Sequence, residues 1–149
     1  MAQNEKLLYT AQVHTTGGRE NGVARSSDGH LDVRLSVPGT AGAGTNPEQL
    51  FAAGWSACFE GAMSVVARKM NITLPADTSI DAQVELLLTD GEYSIRGRLN
   101  VNLPGLDQET AQKLVDVSHQ TCPYSKATRG NIDAEINVIT APAQRAGGV

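Results

Sequence analysis

Two side chains in this sequence can act as redox nucleophiles: Cys58 and Cys122, its only cysteines, 64 positions apart. A thiolate attacks electrophilic oxygen, and two thiols can cycle through a disulfide. Two cysteines in 149 residues do not make a disulfide scaffold, and their separation excludes a Cys-x-x-Cys redox motif. The histidines, His14, His30 and His119, are dispersed and form no zinc-ligand spacing with the cysteines, so neither a metal nor a bound cofactor is expected. Taken singly, each cysteine reads as a small core hydrophobe, because free Cys is among the most buried residue types.

The elements that must hold these thiols are legible from local signals. Cys58 lies in the longest apolar run of the chain, in which Glu48 and Glu60 are the only charges from Thr45 to Val66. Asn46 suits an N-cap, Pro47 the first helical position, Glu48 the acid-favouring first turn, and Gln49 a capping box. Arg68 and Lys69 fall where cations favour a helix end, and Asn71 is a stop. One long helix follows, apolar on nearly every face and therefore expected to be buried rather than amphipathic. Its small residues Ala53, Gly54, Ala57, Gly61 and Ala62 permit close approach of another backbone. Glycine inside a helix costs about 1 kcal/mol against alanine, so self-association through this helix is expected.

Asp107 caps a second helix, predicted to about residue 121. Its apolar face is Ala111, Leu114, Val115 and Ser118, with Cys122 on the core side and Pro123 ending it. Residues 7–15, 23–27 and 31–37 read as a three-stranded antiparallel meander with one wet face. Residues 80–89, 93–101 and 132–139 read as further strands. The stretch 84–88 looks buried on both sides, and Asp90-Gly91 signals a hairpin turn. The order β-β-β-α-β-β-α-β makes the fold α+β, mainly antiparallel, with a long buried central helix. One domain over 1–149 is expected, with an ordered core over 5–140 and a frayed tail over 141–149.

Composition narrows the function. A net charge of −4, scattered Lys and Arg, and 4% aromatic residues argue against a nucleic-acid surface. The start Met-Ala-Gln-Asn-Glu-Lys leads straight into a strand-like run with no secretory apolar segment, and the central helix is interrupted by charge. A cytoplasmic protein with no membrane association is expected.

Two long stretches carry a family resemblance. Thr45-Asn-Pro-Glu-Gln-Leu-Phe-Ala-Ala-Gly-Trp-Ser-Ala-Cys58-Phe and Cys122-Pro-Tyr-Ser-Lys-Ala-Thr-Arg-Gly-Asn131 resemble the two cysteine motifs of the organic hydroperoxide resistance (Ohr) branch of the OsmC family. Thr16-Gly-Gly-Arg19-Glu-Asn-Gly22 resembles that family's N-terminal Gly-Gly-Arg segment, and order and spacing agree over 5–140. The resemblance implies an OsmC/Ohr-like fold, an intertwined homodimer, and a peroxidase that reduces organic hydroperoxides to alcohols in oxidative-stress defence. It makes Cys58 the peroxidatic and Cys122 the resolving cysteine, joined as a disulfide in the cycle, with Arg19 and Glu48 the activating pair. It also implies re-reduction by an external lipoyl dithiol, dihydrolipoamide or a lipoylated protein. Two rival functions use the same residues: a non-catalytic redox sensor switching through the same cysteine pair, or an OsmC-like small-ligand binder with inert thiols.

The chemistry imposes its own conditions. A thiol mid-helix in apolar surroundings has its pKa raised, and no helix terminus helps, so Cys58 needs a cation from elsewhere in the fold. Arg19, held by glycines, keeps its charge in a dry site, and Glu48 would orient it. Cys122 at the end of the second helix is expected to stay protonated until Cys58 is oxidised. Leu50, Phe51, Trp55, Phe59 and Met63 form a candidate apolar wall for a bulky hydroperoxide. Glu48 and Cys58 are ten residues apart, about 15 Å along a straight helix. Either the helix is broken near Glu48, or Glu48 serves the site of the partner chain.

Overall fold

Alternation of apolar and polar residues builds two separate three-stranded sheets, each in its own part of the chain. The computed structural model describes residues 4–142. In order, the elements are β1 (Val13–Thr16), α1 (Gly18–Asn21), β2 (Val23–Ser26), β3 (Asp32–Arg34), α2 (Pro47–Lys69), β4 (Ser79–Thr89), β5 (Glu92–Asn102), α3 (Gln108–Thr121), α4 (Pro123–Thr128) and β6 (Asp133–Ile139). The α+β class and the order of the strands and long helices agree with expectation. The single-turn α1 and the six-residue α4 are additions. The chain divides into two compact units, the first ending at Pro47 and the second beginning at Glu48.

The first unit is the antiparallel meander β1-β2-β3. It is shorter than expected: residues 5–12 carry no regular element, and Leu7, Leu8 and Tyr9 are exposed. Between β1 and β2, Gly17 and Gly18 take the left-handed φ values 77° and 69°, which glycine adopts without the steric cost other residues meet. They bring the chain into α1, which carries Arg19.

In the second unit β4 and β5 form an antiparallel hairpin, and β6 joins β5 in parallel. The parallel pair follows from the helical crossover α3–α4 between β5 and β6. Asp90 and Gly91 both have positive φ, 51° and 81°, as the expected tight hairpin turn requires. Arg96 lies opposite Glu85, and Arg98 opposite Glu135, as ion pairs on the outer face of the sheet. Exposed pairs of this kind contribute about 0–1 kcal/mol, so they favour register more than stability.

The inner face carries the core. Trp55, Phe59 and Met63 of α2, Leu99 and Val101 of β5, and Leu114 and Val115 of α3 form one buried cluster that includes Cys122. Trp55 lies against the backbone of β5: a methyl on Gly97 would come within 2.5 Å of the indole ring. Gly97 is therefore a space requirement of Trp55.

Three expectations are corrected. The stretch 84–88 is not buried on both sides, because the hairpin extends beyond the helices; Leu88 and Tyr93, opposite one another at its tip, are 62% and 73% exposed. The central helix α2 is not buried all round. It packs the stripe Trp55, Phe59, Ala62, Met63, Val66 and Ala67 and leaves Ala53, Ala57, Gly61 and Val65 exposed in the single chain. Its charges also do not interrupt it enough to exclude a span. By length and composition α2 could cross a membrane, although its packed stripe is that of a core helix. The predicted tail lies outside the described residues from 143 onward.

Gly97→Ala is expected to lower stability by about 1–3 kcal/mol through overpacking against Trp55, read as a reduced urea midpoint with an unchanged m-value.

Candidate active site

Cys58 sits midway along α2, partly buried beside the core, and Cys122 is fully buried. Both are free thiols. The fold brings them into one packed cluster despite the 64 positions between them. Cys122 is held firmly because it is the C-cap of α3 and the N-cap of α4 at once. Its N–H donates to Ser118 O at 2.8 Å, and its carbonyl accepts from Lys126 N–H at 3.0 Å. Its backbone therefore serves both helices and has little freedom to move. The C-terminal dipole expected at Cys122 is thus only half of its setting, since a helix also begins there.

The turn after Cys122 lies on one face of α2. Phe51, Gly54, Trp55 and Cys58 recur at spacings of 3, 4 and 7, one stripe of an α-helix. Phe51 meets Tyr124 edge to face, with ring centroids 6.3 Å apart. A methyl on Gly54 would lie 3.1 Å from Tyr124 Oη, so the ring crosses the helix where the side chain is absent. Trp55 Nε1–H donates to Ser125 Oγ at 3.3 Å, with both residues fully buried. Gly54 therefore has a reason within the chain and needs no partner to explain it. Gly61 has open space on its outer side.

Burial pushes the Cys58 thiol up, and the neighbouring Cys122 adds to the rise; the backbone N–H of Tyr124 pulls the other way by donating to the sulfur. That amide lies in the first turn of α4. Burial nevertheless dominates. The need for a cation stands, and three guanidinium groups of the second unit have partners of their own. Arg129 Nη1 donates to His119 O at 2.7 Å, bracing α3 against α4, and Arg96 and Arg98 pair with Glu85 and Glu135.

The other expected residues are placed as follows. Arg19 is exposed on α1 in the first unit. Glu48 is half-buried in the first turn of α2, and the helix runs unbroken from Pro47 through Gly54 to Cys58 and beyond. The alternative of a break near Glu48 is thereby removed, and the axial distance of about 15 Å to Cys58 stands. Leu50 and Phe51 are half-buried, whereas Trp55, Phe59 and Met63 are fully buried in the core. Among the described residues no three of His, Cys, Asp and Glu form a metal-ligand cluster.

Sequence reasoning missed Tyr124, Ser125 and His119. The first two lie inside the second cysteine motif, and that membership was the available signal. His119 is one turn before Cys122. Its ring lies 6.5 Å from that of Phe59, and its Nδ1 is buried without a hydrogen-bond partner. Burial, helped by the Arg129 charge and opposed by Asp116, holds its pKa below the ordinary 6.5. The unfolded chain takes up this proton first as pH falls. Stability from neutral His119 is therefore present above about pH 6.5 and is lost as pH falls through the lower folded-state value. The urea midpoint is expected to drop more between about pH 7 and pH 5 in the native protein than in His119→Phe.

The chain is similar to known proteins along most of its length. The family model described as OsmC-like protein matches residues 39–137. The organic hydroperoxide resistance protein of Xanthomonas axonopodis pv. citri is 51% identical over 142 residues, covering 93% of this chain and 99% of that one. The crystal structure of the organic hydroperoxide resistance protein OhrB of Bacillus subtilis superposes with a TM-score of 0.82 at 47% identity, covering 89% of this chain and 99% of that one. An organic hydroperoxide resistance protein from Legionella pneumophila gives a TM-score of 0.84 at 42% identity, covering 91% and 100%.

Proposed function

The chain belongs to the OsmC-like family, in its organic hydroperoxide resistance branch, and on that premise we propose that it is a cysteine peroxidase that reduces organic hydroperoxides to alcohols. The observation that carries this reading is the adjacency of the Cys58 and Cys122 thiols, one partly open and one fully buried. The Cys58 thiolate attacks the terminal peroxide oxygen. The O–O bond breaks, the alkoxide takes up a proton and leaves as alcohol, and Cys58 becomes a sulfenic acid. Cys122 then attacks that sulfur, an S–S bond forms, and the hydroxyl leaves as water. A dithiol such as dihydrolipoamide, free or on a lipoylated protein, reduces the disulfide by two exchanges and is itself oxidised to its cyclic disulfide.

Arg19 supplies the cation that offsets the burial of Cys58, and Glu48 orients it. With α2 unbroken, Glu48 serves the site of a second copy. The homodimer is part of the same proposal. It is supported by the exposed small residues Ala53, Ala57 and Gly61 on α2 and by the apolar residues Leu86, Leu88 and Tyr93 on the hairpin. Apolar surface of this kind on a single chain marks an interaction site. Leu50 and Phe51, half-buried on α2, form the apolar approach for the alkyl group. A reducing cytoplasm suits the free-thiol state in which the cycle starts.

Peroxide consumption with dihydrolipoamide tests the chemistry. Cys58→Ser is expected to lose nearly all activity. Arg19→Ala should fall by about 10²-fold or more, as loss of a charge that creates the thiolate implies. Cys122→Ser is expected to over-oxidise to the sulfinic acid, read by mass spectrometry. Full activity in Cys58→Ser would sink the mechanism. Turnover with excess dithiol separates a peroxidase from a sensor, which oxidises once and waits. For the dimer, sedimentation at micromolar concentration is expected to give twice the chain mass, and a monomer there would count against it.

A further inference from the structure

Pro123 leaves the last turn of α3 one donor short. In a continuing helix the carbonyl of His119 would accept from the N–H of residue 123, and proline has none. Proline also drives the residue before it out of helical backbone, and Cys122 accordingly takes φ −65° and ψ 123°. The chain therefore turns at Cys122, from α3 into α4. The hydrogen bonds from Cys122 N–H to Ser118 O and from Lys126 N–H to Cys122 O fix this residue to each helix separately. They do not fix the angle between the helices, because rotation about ψ of Cys122 swings one against the other.

Arg129 spans that hinge. Its own N–H donates to Ser125 O at 2.8 Å, as the C-cap of α4. Its Nη1 reaches back to His119 O at 2.7 Å and gives that carbonyl the donor that Pro123 lacks. A guanidinium also suits the negative end of the α3 dipole. The ring so closed runs from His119 to Arg129 with Cys122 inside it. The bond from Trp55 Nε1 to Ser125 Oγ ties α4 to α2 and does not involve α3.

We propose that Arg129 is a positioning residue for Cys122: by clasping the end of α3 to the end of α4, it aims the Cys122 thiol for attack on oxidised Cys58. Its side chain bonds a backbone carbonyl, so it acts through the turn and not on the sulfur. The inference deepens the peroxidase reading and rests on it. Cys58 packs against the core cluster that includes Cys122, and its sulfenic acid has two fates. In one, Cys122 attacks the sulfur, an S–S bond forms and water leaves. In the other, a second hydroperoxide oxidises it to the sulfinic acid and leaves as alcohol. The first needs aligned sulfurs, so a looser hinge slows it and leaves the second unchanged.

The test oxidises the reduced full-length protein with cumene hydroperoxide in the absence of dithiol and quantifies disulfide and Cys58 sulfinic acid by mass spectrometry. The peroxide concentration that yields equal amounts of the two reports the ratio of their rates. Arg129→Ala is expected to lower it by about two- to tenfold, as loss of one hydrogen bond allows. Arg129→Lys keeps a charge and a donor, and should fall between Arg129→Ala and the native protein. Arg129→Met keeps the stem without the donor; it should match Arg129→Ala, and it decides the matter alone if that variant does not fold. A lowered urea midpoint with an unchanged product ratio would overturn the proposal. In a glutathione redox buffer, the same variants are expected to lower the effective concentration of the two thiols by a similar factor. That equilibrium needs no peroxide, so it still reads the clasp if full activity in Cys58→Ser removes the peroxidase reading. An equilibrium unchanged in both Arg129→Ala and Arg129→Met would then overturn the clasp as well.

Discussion

The site depends on one packing contact, the seating of the turn after Cys122 on the stripe Phe51, Gly54, Trp55 and Cys58 of α2. Each position in the stripe has its own part. Gly54 is open so that the Tyr124 ring can cross the helix. Trp55 reaches through to Ser125. Phe51 closes the outer side against Tyr124. Cys58 completes the stripe and packs against the cluster that includes Cys122. Gly97 of β5 belongs to the same arrangement, since any side chain there would displace the indole and with it the turn. Trp55 and Ser125 at its centre are fully buried, and close-packed interiors transmit small volume changes, so positions remote from sulfur bear on the thiol geometry.

Burial and reactivity oppose each other here. Dry surroundings keep water from the thiols, yet they favour the neutral thiol at Cys58, and a single amide dipole does not reverse that preference. Offsetting it takes a full charge. Arg129, Arg96 and Arg98 of the second unit have structural partners of their own, and Arg19 of the first unit is the residue proposed for that charge.

Much of this was legible in the chain. The start of α2 at Pro47, the cap at Asp107, the left-handed stop at Asn71 (φ 57°), the Asp90-Gly91 turn and the stripe Ala111, Leu114, Val115, Ser118 all appear where local rules put them. The side chain of Asp107 accepts from Thr110 N–H at 2.9 Å, as an N-cap should. Misjudged features were those whose environment depends on distant elements. The run 84–88 is apolar enough for a core but projects past the helices. Trp55, Phe59 and Met63, candidates for a substrate wall, are core, because β5 and α3 cover them. Gly54, suspected of serving a partner, serves Tyr124.

The sequence by itself determined the elements, their order, the two candidate thiols and the family to which the motifs belong. These rest on short-range physics: capping, periodicity, turn chemistry and the identity of contiguous residues. Only the tertiary structure decided that Cys58 and Cys122 share one packed cluster and that Cys122 is shared between two helices. It also decided that α2 runs unbroken past Glu48 and leaves its small face exposed. Those facts depend on which faces of α2, α3 and α4 meet, and that is set by the fit of Trp55 against Gly97 and of Tyr124 against Gly54. Complementarity between residues tens of positions apart has no local signature, so it becomes visible only when the chain is packed.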